Sequence, residues 1–258
     1  MTDVDGNETE PAAVRRSLLG QSAALWSGHG EHEVEPGWWK AMSGVRNVDF
    51  NVLVCHGPDP ALVTRSLEAV GATKNPAVIT LAGPGLAGAQ VLVDAGWVCI
   101  GTSPFMVLEG VGEARFEVDP EVTEAGAADL PAVWDVVGET FQSGPKLAQV
   151  AIPEDVPETP GQSVWTLSVD GAVRSCVATV IVDGALMVWS MATLPAWQHR
   201  GYGRRLLTTA LARGAAQGVT ESILQSSPAG EPMYRALGYE VTEYWQLWSR
   251  PRWVFGRS

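Results

Sequence analysis

Two Asp-Gly pairs, Asp170-Gly171 and Asp183-Gly184, limit the fold of this chain more than any other feature of its sequence. They separate three largely apolar runs, at 163–169, 172–182 and 185–193. A two-residue turn between antiparallel strands needs φ > 0 at both central positions, and Asp followed by Gly meets that need at low cost. The spacing therefore predicts an antiparallel meander. The second pair also interrupts an apolar stretch, 176–197, that would otherwise be nearly long enough to cross a bilayer.

The rest of the chain divides around this meander. Upstream, 50–56 and 77–82 read as buried strands, 60–70 as a helix begun by Pro60, and 86–95 as a helix closed by Gly96. Further strand material lies at 97–100 and 105–108, then a strand at 115–118, a helix at 129–138 and a short helix at 146–150 in a proline-rich loop. Past the meander a helix opens at Gly201 and Gly203, followed by a strand at 222–225, a helix around 231–237 and a strand at 239–248. Leu86-Ala-Gly88, Gly96 and Trp97 stand 142 residues before Pro228-Ala-Gly230, Gly238 and Tyr239. With the shared strand–helix–strand–helix–strand order, this predicts a weak internal repeat. The boundaries read from sequence are an acidic disordered tail over 1–12, a first unit over 13–112 and a second over 113–258.

Charge and cysteine usage narrow the function classes. There are 29 acidic residues against 17 basic ones, a formal charge of −12. That balance argues against nucleic acid and anionic membrane as partners, since both are bound through surplus Lys and Arg. An apolar fraction of 46% is ample for a packed core. The first eleven residues lack the apolar stretch of a signal peptide. Cys55, Cys99 and Cys176 are too far apart for a zinc site or a disulfide framework, which predicts reduced core thiols in a cytoplasmic protein. His29-Gly-Glu-His32 reads as a polar loop, so no metal is expected, and Trp38-Trp39 as a core or inter-domain anchor.

The sharpest chemical signal is Gln198-His-Arg-Gly-Tyr-Gly203, placed after the strand ending Met191-Ala-Thr193 and opening a helix. Two glycines at such a turn let consecutive backbone N–H groups point at one spot, where the helix N-terminus adds positive potential. Arg200, Arg204 and Arg205 bring three cations to a chain short of them. These residues resemble the GNAT (GCN5-related) N-acetyltransferases, whose Q/R-x-x-G-x-G/A signature is matched by Gln198, Gly201 and Gly203. The preceding meander and the later Tyr234-Arg-Ala-Leu-Gly-Tyr239 extend the resemblance over roughly 113–250.

The resemblance implies an α/β (α+β) fold of two GNAT-like units, each a mixed central sheet flanked by helices, the second complete and the first degenerate. It implies an acetyl-CoA-dependent N-acetyltransferase acting on an amine of a small molecule or peptide, with a homodimer as an allowed assembly. Met191, Ala192 and Thr193 would bond the pantetheine arm, and His199, Arg200, Gly201, Tyr202, Gly203 and Arg204 would wrap the pyrophosphate. Tyr234 would be the general acid, protonating the departing thiolate, and a backbone N–H of Met191 or Ala192 would polarise the thioester. Ser227 stands where the family commonly has an Asn that helps hold the coenzyme. The general base is left among Glu139, Glu154, Asp155 and Glu158, any of which could equally be a solvated charge. One alternative is an acyl-CoA-binding module without catalysis. Another is a dinucleotide-dependent oxidoreductase working from Gly83-Pro-Gly-Leu-Ala-Gly88, a literal G-x-G-x-x-G after a strand. Pro84 removes a donor from that turn, and the repeat offers a second account of its glycines, with Leu92 in the place of Tyr234.

Overall fold

The computed structural model describes residues 10–27, 30–73, 75–113 and 116–254. In chain order the elements are α1 (Glu10–Ser22), α2 (Ala24–Ser27), β1 (Glu31–Glu35), β2 (Trp38–Met42), β3 (Asn51–Cys55), α3 (Ala61–Ala72), β4 (Val78–Leu81), α4 (Ala89–Asp94) and β5 (Val98–Glu109). There follow β6 (Val122–Glu124), α5 (Leu130–Thr140), α6 (Pro145–Ala151), β7 (Gln162–Val169), β8 (Ala172–Val182) and β9 (Ala185–Thr193). The chain ends with α7 (Tyr202–Ala215), β10 (Glu221–Gln225), α8 (Glu231–Arg235), β11 (Glu240–Ser249) and α9 (Pro251–Val254).

By packing, the chain forms two compact units. The first takes residues up to Phe105 together with Ser226–Pro228 and Val241–Ser258; the second takes Met106–Gln225 and Ala229–Glu240. The first unit has strand order β1-β2-β3-β4-β11-β5. It is a mixed sheet: β3 and β4 run parallel, while β2 on β3 and β11 on β4 are antiparallel. Its core gathers Trp38, Leu53, Val63, Ile79, Leu92, Trp97 and Trp248. Trp38 and Trp39 are buried core residues of this unit, and Trp38 Nε1 donates to Ser66 Oγ at 2.8 Å. Each such indole removes roughly 200 Å² from water, on the order of 5 kcal/mol before entropy is counted. Much of the tryptophan surplus is thus structural.

The second unit has strand order β5-β10-β9-β8-β7-β6, with β9 and β10 parallel and the meander antiparallel. Both Asp-Gly turns form as expected: Asp170 and Gly171 have φ of 54° and 74°, Asp183 and Gly184 of 48° and 77°. Helix α5 packs on β8 and β9, and α7 packs on β7, β8 and β9.

The repeat is visible in four consecutive elements. Shifted by the same 142 residues, α3 falls on α7, β4 on β10, α4 on α8 and β5 on β11. Yet β11, which ends the second copy, pairs with β4 of the first unit through Gln246↔Leu81, Leu247↔Thr80 and Trp248↔Ile79.

Four sequence expectations shift. Residues 1–9 lie outside the described residues, but Glu10, Pro11 and Ala12 belong to α1 rather than to a tail. The predicted strand at 115–118 is not strand at 116–118; Arg115 lies outside the described residues, and the edge strand is β6. Here the segment turns to α7 instead: Asp119 N–H donates to Thr209 Oγ1 and its carboxylate holds Arg205, while Pro120 has no N–H for a ladder. The helix expected over 86–95 is a 3-10 turn, Gly83–Gly88, running into the six-residue α4. Of the three thiols, Cys55 and Cys176 are buried but Cys99 is exposed. Burial pushes Cys55 up to about 11 and Cys176 to about 12, so neither is a thiolate near neutrality.

Candidate active site

Strand β9 is regular against β8 until Ala178↔Trp189 and resumes at Cys176↔Ala192, so Ser190 and Met191 together oppose Val177. This is a β-bulge, with Ser190 at φ 50°. On its other side β9 pairs with β10 only from Glu221↔Ala185 to Ile223↔Met187. Beyond Met187 the two parallel strands separate, leaving the second half of β9 as an open edge.

Backbone direction along that edge follows from its end. Leu194 N–H donates to Arg174 O at 3.0 Å, toward β8, and Ala192 O on the same side accepts from Ser175 Oγ at 2.8 Å. Alternation turns Met191 and Thr193 toward the open side. There Thr193 O accepts from Gln198 Nε2 at 3.1 Å, so the glutamine of the glycine motif ties the loop to the strand end. Of the two backbone groups proposed to polarise a thioester, Met191 faces the gap and Ala192 faces β8.

The glycine turn is built for close approach. His199 (φ 60°) and Gly201 (φ 82°) both take left-handed backbone, and Gly201 is the N-cap of α7. The helical ladder begins with Arg205 N–H donating to Gly201 O at 3.0 Å, so the N–H groups of Tyr202, Gly203 and Arg204 precede it. At Gly203 an added Cβ would lie 3.1 Å from Met233 Sδ and 3.7 Å from Met191 Sδ. The structure thereby brings β9, the first turn of α7 and α8 to one place. These features fit a diphosphate: consecutive backbone donors, a helix of 14 residues behind them, and no side chain at Gly203.

Tyr234, on α8 beside Met233, is 7% exposed. Burial pushes its phenol well above the ordinary tyrosine range. Its ring meets Tyr239 edge-on at 5.6 Å; Tyr239 OH donates to Ser222 Oγ at 2.7 Å, and Ser222 Oγ donates to Leu186 O at 2.8 Å. This chain anchors the aromatic pair to β10 and β9.

The three arginines of the motif divide. Arg205 is not available to a ligand: Nε donates to Asp119 Oδ2 at 2.5 Å, and Nη2 pairs with Glu121. Arg204 and Arg200 are exposed, and Arg200 Nη2 donates to Ala196 O at 3.2 Å. The acids considered for the base, Glu139, Glu154, Asp155 and Glu158, are all exposed. Ser227 belongs with the first unit by packing. Sequence reasoning missed Arg174, Ser175, Asp119 and Met233, because each acts through a partner far along the chain.

The competing glycine turn at Gly83–Gly88 is filled by the chain itself. Ala82 N–H donates to Cys55 O at 3.0 Å, holding β4 on β3 to its end. A Cβ at Gly85 would collide with the Cys55 carbonyl, one at Gly83 with the Arg16 guanidinium, and one at Gly88 would lie 2.5 Å from Val63 Cγ2. Its glycines serve packing, which removes the structural basis for a dinucleotide there. His32 Nε2 meets Gly20 O at 2.8 Å, while His29 lies outside the described residues. Among the described residues no group of three His, Cys, Asp or Glu is placed to hold a metal, and no helix is long and apolar enough to cross a membrane.

Residues 160–241 match the family model of the acetyltransferase (GNAT) domain. Among solved structures, the chain is similar to a GCN5-related N-acetyltransferase from Kribbella flavida (21% identity, TM-score 0.64, 91% of this chain and 96% of that one). It is also similar to a putative GNAT acetyltransferase from Novosphingobium aromaticivorans (15%, 0.58, 92% and 96%) and to a GCN5-related N-acetyltransferase from Sphaerobacter thermophilus (14%, 0.60, 92% and 90%). At these identities the likeness is one of fold. No curated protein matches the sequence.

Proposed function

Residues 160–241 match the family model of the GNAT domain, and on that match we propose that the chain is an acetyl-CoA-dependent N-acetyltransferase acting on an amine of a small molecule or peptide. The observation that carries the proposal is the gap between β9 and β10, opened by the Ser190 bulge and leading directly to the glycine turn of α7. A CoA ester, when bound, supplies a thioester already activated toward amines.

The residues then take these parts. Met191 and Thr193 offer backbone groups to the pantetheine arm, and Ala192 holds the strand to β8. His199 to Arg204 cradle the diphosphate through backbone N–H groups, with the exposed Arg204 side chain adding charge. The Met191 N–H polarises the carbonyl under attack. Tyr234, kept protonated by burial, gives its phenolic proton to the leaving sulfur as the C–S bond breaks, and the proton lost by the new amide nitrogen returns to it through solvent. The exposed acids of 139–158 draw cationic amines toward the unit. The first unit, whose equivalent strands stay closed at Cys55 and Ala82, is a silent copy in this reading. We propose the cytoplasm, where CoA esters and reduced thiols coexist, as its compartment.

The test is a thermal melt with acetyl-CoA, longer acyl-CoAs and NAD(P)H, followed by thiol release across an amine panel. A ligand at 100 times its Kd adds about 2.7 kcal/mol to the bound state. Stabilisation by CoA esters with amine-dependent thiol release is the expected outcome. Stabilisation without thiol release would make the chain a binding module, and no shift with any CoA ester would overturn both readings.

A further inference from the structure

Beside the glycine turn stands a group of side chains that the backbone cradle does not require. The 3-10 turn Pro195–Trp197 closes with Trp197 N–H donating to Leu194 O at 2.8 Å, while Leu194 N–H donates to Arg174 O. These two bonds bring the Trp197 ring to Arg174, whose guanidinium carbon lies 4.5 Å from the ring centroid. Arg200, inside the glycine turn, places its own guanidinium carbon 4.8 Å from the same ring. The Tyr202 ring, at the start of α7, is 6.2 Å away. Two cations from separate elements thus share one indole.

Their hydrogen-bonding capacity is not spent. Arg174 Nε is buried and has no hydrogen-bond partner among the described residues. Arg174 is only half-buried, so the rest of its guanidinium stays open to an acceptor. Arg205 offers the contrast, with two carboxylates bound. Among the described residues no carboxylate pairs with Arg174 or Arg200. Contact with the indole holds each guanidinium in place by a cation–π attraction while spending none of its N–H donors, and guanidinium is the side chain best suited to phosphate.

A diphosphate is already served by the backbone donors of 199–204, so the two arginines are a surplus with its own specificity. We propose that Arg174 and Arg200, held by Trp197, form a second anion subsite that takes a phosphate monoester dianion: the 3′-phosphate at the nucleotide end of CoA. The inference rests on the acyl-CoA reading above and adds to it the means by which the chain distinguishes CoA from dephospho-CoA.

Calorimetric titration of the full chain with CoA, dephospho-CoA and adenosine 3′,5′-bisphosphate tests it. Wild type should bind CoA about tenfold more tightly than dephospho-CoA, a difference of about 1.4 kcal/mol. Arg200→Gln, at an exposed position, should weaken CoA about tenfold while leaving dephospho-CoA within about twofold. Arg174→Gln should do the same; should that variant not fold, Arg200→Gln and Trp197→Leu carry the test. Adenosine 3′,5′-bisphosphate should compete with CoA where adenosine 5′-monophosphate does not. Equal affinity of wild type for CoA and dephospho-CoA, or equal weakening of both by Arg200→Gln, would overturn the subsite and leave the acyl-CoA reading standing. Failure of every CoA species to bind would overturn both.

Discussion

Tyr234 and His56 show how burial governs the protonation state of a side chain. The Tyr234 phenol is held above its ordinary range by desolvation, so it keeps its proton at neutral and mildly alkaline pH. Tyr234→Phe should lower kcat about 100-fold, the scale of a lost general acid, with the Kd for acetyl-CoA within about twofold. Steady-state kinetics with calorimetry would show it, and an unchanged kcat would remove Tyr234 from the mechanism. Nor should activity fall as pH rises through 10, where a solvated phenol ionises. His56 is the reverse case: 2% exposed, beside the buried Arg16, its pKa lowered to about 4 by burial and then by that cation. Its Nε2 has no partner among the described residues. In the unfolded chain it titrates near 6.5, so the unfolded state binds the proton first as pH falls. Stability is therefore fully present above 6.5 and drains between 6.5 and about 4, by roughly 3 kcal/mol at the limit. Urea unfolding at pH 7 and pH 4.5 should show this slope in wild type and a shallower one in His56→Gln.

At the scale of elements, the turn into α7 depends on backbone that only one residue type adopts freely. Gly201 has φ 82° with open space around its Cα, so Gly201→Ala meets conformational strain of about 1–2 kcal/mol and no clash. That strain falls on the donors of the cradle, and acetyl-CoA should bind about tenfold more weakly, with α7 otherwise intact by circular dichroism. Gly203 differs, since its constraint is the approach of Met233 and Met191. The sequence made much of this legible. The Asp-Gly turns set β7, β8 and β9 almost to the residue, and Gln198, Gly201 and Gly203 located the start of α7, because turn chemistry is written in adjacent positions. It left illegible whatever rests on distant partners. Arg205 reads as a free cation until Asp119, 86 residues earlier, is seen to hold it. Gly85 reads as a phosphate glycine until the Cys55 carbonyl is found against it. Helix α1 was missed because its start is acidic and polar, and its buried Arg16, Leu18 and Leu19 make no clear apolar stripe.

For the whole molecule, the important fact is that the first unit is assembled from three stretches of chain. Val241–Ser258 gives it Trp245, fully buried and stacked on Phe105 at 4.6 Å, and Trp248, also buried. The same segment supplies Glu243, whose carboxylate pairs with Arg16 and accepts from Trp245 Nε1 at 2.9 Å. Ending the chain at residue 240 would strip β4 of its antiparallel neighbour and take a carboxylate from a buried guanidinium, itself a loss of about 3–5 kcal/mol. Such a truncation should abolish the cooperative melt of the first unit, read by near-ultraviolet circular dichroism of its tryptophans. A truncated chain with an unchanged melt would show that β11 is dispensable.

That composition also sets an order of events during synthesis. β4 is made by residue 81, but the strand that pairs with its far side is not complete until residue 249. At 5–20 residues per second, the ribosome takes about ten seconds or more to close that interval. Throughout it, three apolar residues and a threonine of β4 have an unpaired edge, a condition that invites mispairing. A strand translated well before its antiparallel partner is therefore among the last to become native, and the yield of the fold in a cell depends on what shields that edge in the meantime.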